Sequence, residues 1–134
     1  KRIEETQESM RPDGWFKTGD LGHLDEKGRL YISAGRKKDL IIRAGENISP
    51  LAIENALMAH PAPAEVAAVG IVDERVGEKV KVCIVLREGA DTTEQELKDF
   101  CRKNLPAFMT PDMIQFYKSL PKTATGKIIK DQLK

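Results

Sequence analysis

The sequence predicts an α+β fold: a small, mainly antiparallel sheet with packed helices, preceded by a β-hairpin. Three observations carry that reading. Between Lys79 and Arg87, Val80, Val82, Ile84 and Leu86 alternate with Lys79, Lys81, Cys83 and Arg87, the two-residue period of a strand with one buried face. Thr93 and Glu96 are spaced as a capping box ahead of Leu97, Phe100, Cys101 and Leu105, an amphipathic helical stripe ending near Pro106. A second strand, Glu65–Val72, is joined to Lys79–Arg87 through Asp73–Glu78 with its Gly77, a connection short enough for an antiparallel pair.

The remaining elements follow in chain order. Lys1–Met10 is charged and helix-compatible, and Arg11-Pro12-Asp13-Gly14 signals a turn. Asp20–Leu24 and Arg29–Ser33 read as strands joined by Asp25-Glu26-Lys27-Gly28, whose glycine can supply a left-handed position; together they form the hairpin. Gly35–Pro50 reads as hinge, short strand through Leu40-Ile41-Ile42, and tight polar loop around Gly45. Ser49 then suits an N-cap and Pro50 the first helical position. Leu51–His60 carries Leu51, Ile53, Ala56 and Leu57 on one face and stops at Pro61. Beyond the second helix, Ala107–Pro111 is a connector, Met113–Tyr117 a short strand, and Leu120–Lys127 a loop before a brief helix or turn. Val82, Ile84, Leu97 and Phe100 are expected in the core.

Composition narrows the function classes. The chain has 134 residues, 40% of them hydrophobic, enough for one ordinary domain with a core. Its 22 basic and 21 acidic residues nearly cancel and form no basic block, which argues against a nucleic-acid partner. No apolar run approaches a membrane span, and Lys1-Arg2-Ile3-Glu4-Glu5 does not begin a signal peptide, so a cytoplasmic location is expected. Cys83 and Cys101 lack CxxC spacing or a local histidine, and read as reduced core thiols rather than metal ligands or nucleophiles. No metal site is expected. The start at Lys1, without methionine and in the middle of a pattern, suggests a piece of a longer protein.

Three stretches carry chemistry. In Phe16-Lys17-Thr18-Gly19-Asp20 a carboxylate stands beside a flexible backbone, suited to accept hydrogen bonds from vicinal hydroxyls, or simply to cap a turn. Gly35–Pro50 holds Arg36, Lys38 and the loop glycine Gly45, which local sequence alone leaves as two solvated charges and a turn residue. In Leu120-Pro121-Lys122-Thr123-Ala124-Thr125-Gly126-Lys127, the proline stiffens the loop and Gly126 permits close backbone approach. Lys127 then presents a compact cation to an anion entering from outside. The P-loop frame is absent, since Ile128 follows Lys127.

Together, and in this order, the three stretches resemble the late motifs of the adenylate-forming enzymes, the superfamily of acyl-CoA synthetases, luciferases and nonribosomal adenylation domains. The resemblance runs from about Asp13 to Lys134. It implies that residues 1–38 are the end of a larger N-terminal domain, up to a hinge at Lys38, and that 39–134 form a mobile C-terminal domain. It also implies an ATP-dependent acyl-CoA synthetase: carboxylic acid and ATP give an acyl-adenylate, and coenzyme A then displaces AMP to give a thioester. The matching residues are Lys127 for adenylation, Asp20 and Arg36 for ATP or AMP, and Gly45, Glu46 and Asn47 for the coenzyme A channel. ATP, coenzyme A and magnesium are the implied cofactors, all in the full-length enzyme, and fatty acid metabolism is the implied setting. The implied partner is the missing N-terminal domain, without which the chain should be inactive. Self-association through the orphaned hairpin, with Trp15, Phe16, Leu24, Leu30 and Ile32 uncovered, is a further expectation. The competing reading is a stand-alone, noncatalytic module that docks on a partner or binds a pantetheine-bearing ligand.

Overall fold

A computed structural model describes residues 3–134. A short helix, α1 (Ile3–Ser9), leads through a turn into the hairpin of β1 (Asp20–Leu24) and β2 (Leu30–Arg36). The strands pair antiparallel with a register shift at Leu21/Gly22, where Gly22 lies so near the Tyr31 carbonyl that an added Cβ would stand 2.5 Å from it. Trp15, Phe16, Leu24, Leu30 and Ile32 are all exposed, as expected of a hairpin with no covering layer.

A 3-10 turn, Lys37–Asp39, connects the hairpin to a five-stranded sheet. This sheet consists of β3 (Ile41–Arg43), β4 (Glu46–Ile48), β5 (Pro63–Asp73), β6 (Gly77–Leu86) and β7 (Met113–Phe116), ordered β4-β3-β6-β5 with β7 alongside β6. Every pairing is antiparallel except β6 with β7, which α3 (Glu94–Asn104) separates in sequence. That intervening helix supplies the crossover a parallel pair needs.

The polar loop expected after Ile42 is instead a second strand. Ala44 (φ 50°) and Gly45 (φ 86°) make a two-residue turn with both residues left-handed, the geometry that returns the chain along itself, so Glu46–Ile48 pairs with Ile41–Arg43. Ser49 caps α2 (Pro50–Met58) by accepting the Ala52 N–H, with Pro50 in the first turn. Both halves of the capping box form at α3: Thr93 Oγ1 accepts from Glu96 N, and Glu96 Oε2 accepts from Thr93 N at 2.8 Å.

Helices α2 and α3 cover one face of the sheet, where Ile41, Ile53, Leu57, Val82, Ile84 and Leu97 are among the buried residues. Phe100 is a correction: it is half-buried at the margin of this layer, edge-on to the His60 ring at 5.0 Å between centroids. The single buried face expected of Lys79–Arg87 also needs revision. Cys83 points to the opposite face and is fully buried there with Ala67, Val69, Leu120 and Leu133. The C-terminal segment, closed by a 3-10 turn at Lys130–Gln132, provides that second cover.

Candidate active site

The lysine loop is a tight excursion between Lys122 and Ile128, which meet in an isolated antiparallel bridge. Inside it Thr123 N donates to the Lys127 carbonyl at 2.8 Å, and Lys127 N donates to Thr123 Oγ1 at 3.1 Å. Gly126 takes φ +84°, which L side chains rarely adopt. Both ends of the excursion are anchored. Lys122 pairs with Glu65 of β5 at 2.8 Å, and Lys130 pairs with Glu54 of α2 at 2.7 Å, while Glu54 also accepts the Ala68 N–H at 2.9 Å. The flanking lysines are thus neutralised by carboxylates distant in sequence. Among the described residues Lys127 has no ion-pair partner and stands exposed.

Lys127 opens onto a depression of about 170 Å³, lined also by Gly35, Arg36, Leu51, Glu54 and Lys130. The hairpin therefore reaches the lysine loop across α2. Arg36 is held by Asp20 at 3.5 Å, and Lys37 N donates to the Gly19 carbonyl at 2.9 Å, so the FKTGD turn lies against the end of β2. Asp20, Arg36 and Lys127 gather on one side of the molecule, with Asp20 outside the depression itself.

The Gly45 turn forms a separate feature. Apart from Gly45 and its two chain neighbours, no described atom lies within 4 Å of a Cβ built there, and Glu46 and Asn47 are exposed beside it. Its base is fixed: Arg43 donates to Asp112 at 2.9 Å and to the Thr110 carbonyl at 3.3 Å, while Ala44 N donates to the Val76 carbonyl at 2.7 Å. Lys38 is exposed in the 3-10 turn between hairpin and sheet, where it shares a small cavity of about 40 Å³ with Asp39, Glu78, Lys130, Asp131 and Lys134.

Both thiols are poor nucleophiles. Burial pushes Cys101 up to about 11, and burial likewise raises Cys83 against the opposing influence of Tyr117 and Lys81. Among the described residues no three His, Cys, Asp or Glu side chains are grouped to hold a metal. Among the described residues no helix is long and apolar enough to cross a membrane.

Residues 52–127, more than half of the chain, match the family described as AMP-binding enzyme C-terminal domain. The chain belongs to that family. Among its curated relatives is an oxalate–CoA ligase of Arabidopsis thaliana, 45% identical over 115 residues, covering 86% of this chain and 22% of the relative. The chain thus spans about a fifth of the length of the curated relatives it matches. The crystal structure of ATP-bound MatB from Rhodopseudomonas palustris superposes with TM-score 0.88 at 36% identity, covering 97% of this chain and 26% of MatB. The apo structure of MatB, also 36% identical and covering 99% and 26%, superposes with TM-score 0.75.

The sequence singles out Lys127, Arg36, Asp20 and Gly45 as candidates but gives no sign of the ion pairs Lys122–Glu65 and Lys130–Glu54 that anchor the lysine loop. Lys122 and Lys130 were visible as charges flanking the loop. Their partners were not, because Glu65 lies 57 residues from Lys122 and only the packing of the C-terminal segment on β5 and α2 brings them together.

Proposed function

We propose that this chain is the C-terminal portion of an ATP-dependent acyl-CoA synthetase, contributing the adenylation lysine Lys127 and the coenzyme A channel loop around Gly45. The observation that carries the reading is the shared depression of Arg36 and Lys127, whose flanking lysines are already paired while Lys127 is not. Adenylation brings a carboxylate against a triphosphate, and those like charges repel strongly where water is excluded. A preplaced cation with no competing partner favours the developing charge without reorganising first. Lys127 fits that role. Arg36 and Asp20 fit the nucleotide beside it, the arginine toward its phosphate side and the carboxylate as acceptor for ribose hydroxyls.

In the second half-reaction Lys127 withdraws and the Gly45 loop takes its place, with Lys38 as the pivot between residues 1–38 and 39–134. The open space around Gly45 suits a thin pantetheine arm, since there is no side chain to block it. Coenzyme A supplies the thiol that displaces AMP. For magnesium the described residues offer no fit, and we assign its ligands to ATP and to the N-terminal part. The higher TM-score with ATP-bound than with apo MatB supports placing the present arrangement of hairpin and sheet on the adenylation side of the cycle. A cytoplasmic enzyme of fatty acid or related carboxylic acid activation is the expected setting. The noncatalytic alternative has no observation in its favour.

Pyrophosphate exchange tests the assignment. The 134-residue chain alone is expected to give none with any acid, because the acyl pocket and most of the ATP site belong to the N-terminal part. The same chain joined to that part is expected to exchange. Exchange by the isolated chain overturns the division of labour, and a joined protein that forms neither adenylate nor thioester overturns the ligase reading.

A further inference from the structure

Between the hinge and the Gly45 turn lies β3, only three residues long and bridged to β6 at a single pair, Arg43 with Gly77. So short a strand needs another anchor to behave as a rigid arm. One carboxylate provides it. Glu78 of β6 accepts the Ile42 N–H through Oε2 at 2.7 Å, a charge-assisted bond to the middle of β3. The carboxylate occupies the space above Gly70 on the neighbouring strand β5. A Cβ built on Gly70 would lie 2.7–2.9 Å from the Glu78 carboxylate atoms, closer than real contacts allow. The glycine is not required by its own backbone, since Gly70 has no positive φ. Its missing side chain is what admits the carboxylate.

We propose that Glu78, seated over Gly70, is a positioning residue for thioester formation. It fastens β3 to the β5–β6 pair, so that rotation at Lys38 carries the Gly45 loop as one body with the sheet. This rests on the ligase reading above. Two neighbouring contacts point the same way: Ala44 N donates to the Val76 carbonyl, and Gly77 passes so close to β3 that its Cβ would meet the Ile42 carbonyl at 3.2 Å. Those contacts hold β3 from the Ile42 carbonyl to the turn beyond it. Glu78 holds its middle, on the hinge side, and lines the small cavity that Lys38 and Asp39 also line.

Three variants separate this role from general packing. Gly70→Ala leaves Glu78 in place chemically but evicts its carboxylate, at little steric cost because the displaced atoms are the end of a flexible side chain. Glu78→Ala removes the acceptor, and Glu78→Gln keeps one. In the 134-residue chain, amide exchange at Ile42 is expected to accelerate about tenfold in Gly70→Ala and Glu78→Ala, the loss of roughly one hydrogen bond, and to stay near wild type in Glu78→Gln. In the chain joined to its N-terminal part, the same two variants are expected to slow thioester formation from supplied acyl-adenylate about tenfold while adenylate formation keeps its wild-type rate, with Glu78→Gln restoring the second step. Unchanged exchange at Ile42, or equal losses in both half-reactions, overturns the proposal. A wild-type joined protein silent in both half-reactions sinks the ligase reading and this role with it, and is recognised by the silence of the wild type itself.

Discussion

Lys127 and Gly45 divide the proposed chemistry between two residues, and each carries its own expectation. Removing the unpaired ammonium in Lys127→Ala should slow adenylate formation about a hundredfold, the scale of losing one preorganised electrostatic contact, with much less effect on thioester formation from supplied adenylate. Gly45→Leu should do the reverse, because it fills the open space beside the loop and strains a backbone at φ +86°. Single-turnover assays of the two half-reactions check both. Cys101 offers a residue-scale test by pH. Its folded value of about 11 lies above the ordinary 9.0, so the folded state holds its proton where the unfolded state has lost it. Stability is therefore unaffected below pH 9 and falls between pH 9 and about 11, and Cys101→Ser or Cys101→Ala should flatten that part of a denaturant-midpoint profile.

At the scale of elements, α3 and the hairpin contrast. Helix α3 is closed at its N-terminus by a complete capping box, and Thr93→Ala should cost about 1 kcal/mol in chemical denaturation. Hydrogen bonds from Thr93 and Thr92 hold the Glu96 carboxyl below its ordinary value of 4.5. The stabilisation is present above that value and is lost as pH falls through the lowered one, so the Thr93→Ala penalty should shrink in acid. The hairpin has no comparable support, since its apolar side chains are exposed and it touches the rest of the fold mainly at its Arg36 end. In a dilute monomer its amides over Asp20–Ser33 should exchange rapidly while those of Lys79–Leu86 are slow. Equal protection would place the boundary somewhere other than Lys38.

For the whole molecule, the consequential feature is that the sheet is covered on both faces by different parts of the chain. Leu133, 2% exposed, is nearly the last residue, yet it completes the layer over Cys83 and Val69. Leu133→Ala should cost roughly 2–5 kcal/mol, a large share of the ~5–15 kcal/mol typical of a domain. Because Lys130 and Lys122 tie the same segment to Glu54 and Glu65, that loss should also loosen the Lys127 loop, seen as faster exchange at Lys127 and Ile129. A purely local defect at Leu133 would leave those amides unchanged.

Local and periodic features were legible in the sequence. The alternation of β6, the caps of α2 and α3 and the breaks at Pro61 and Pro106 all follow from interactions within a few residues, and the structure keeps them. The strand Glu46–Ile48 was missed because Ala44, unlike glycine or asparagine, gives no signal for a left-handed turn. Partnerships across the fold were not legible at all. Which carboxylate neutralises Lys122 or Lys130, why position 70 is glycine, and that Cys83 lies under a second layer depend on strands and termini meeting across tens of residues. Short-range sequence thus carries most of the elements and singles out the residues proposed to do chemistry. Which charges are already paired is a matter of packing, because pairing depends on distances that only the assembled fold sets: it joins Lys122 to Glu65 and Lys130 to Glu54, while Lys127 between them keeps no ion-pair partner among the described residues.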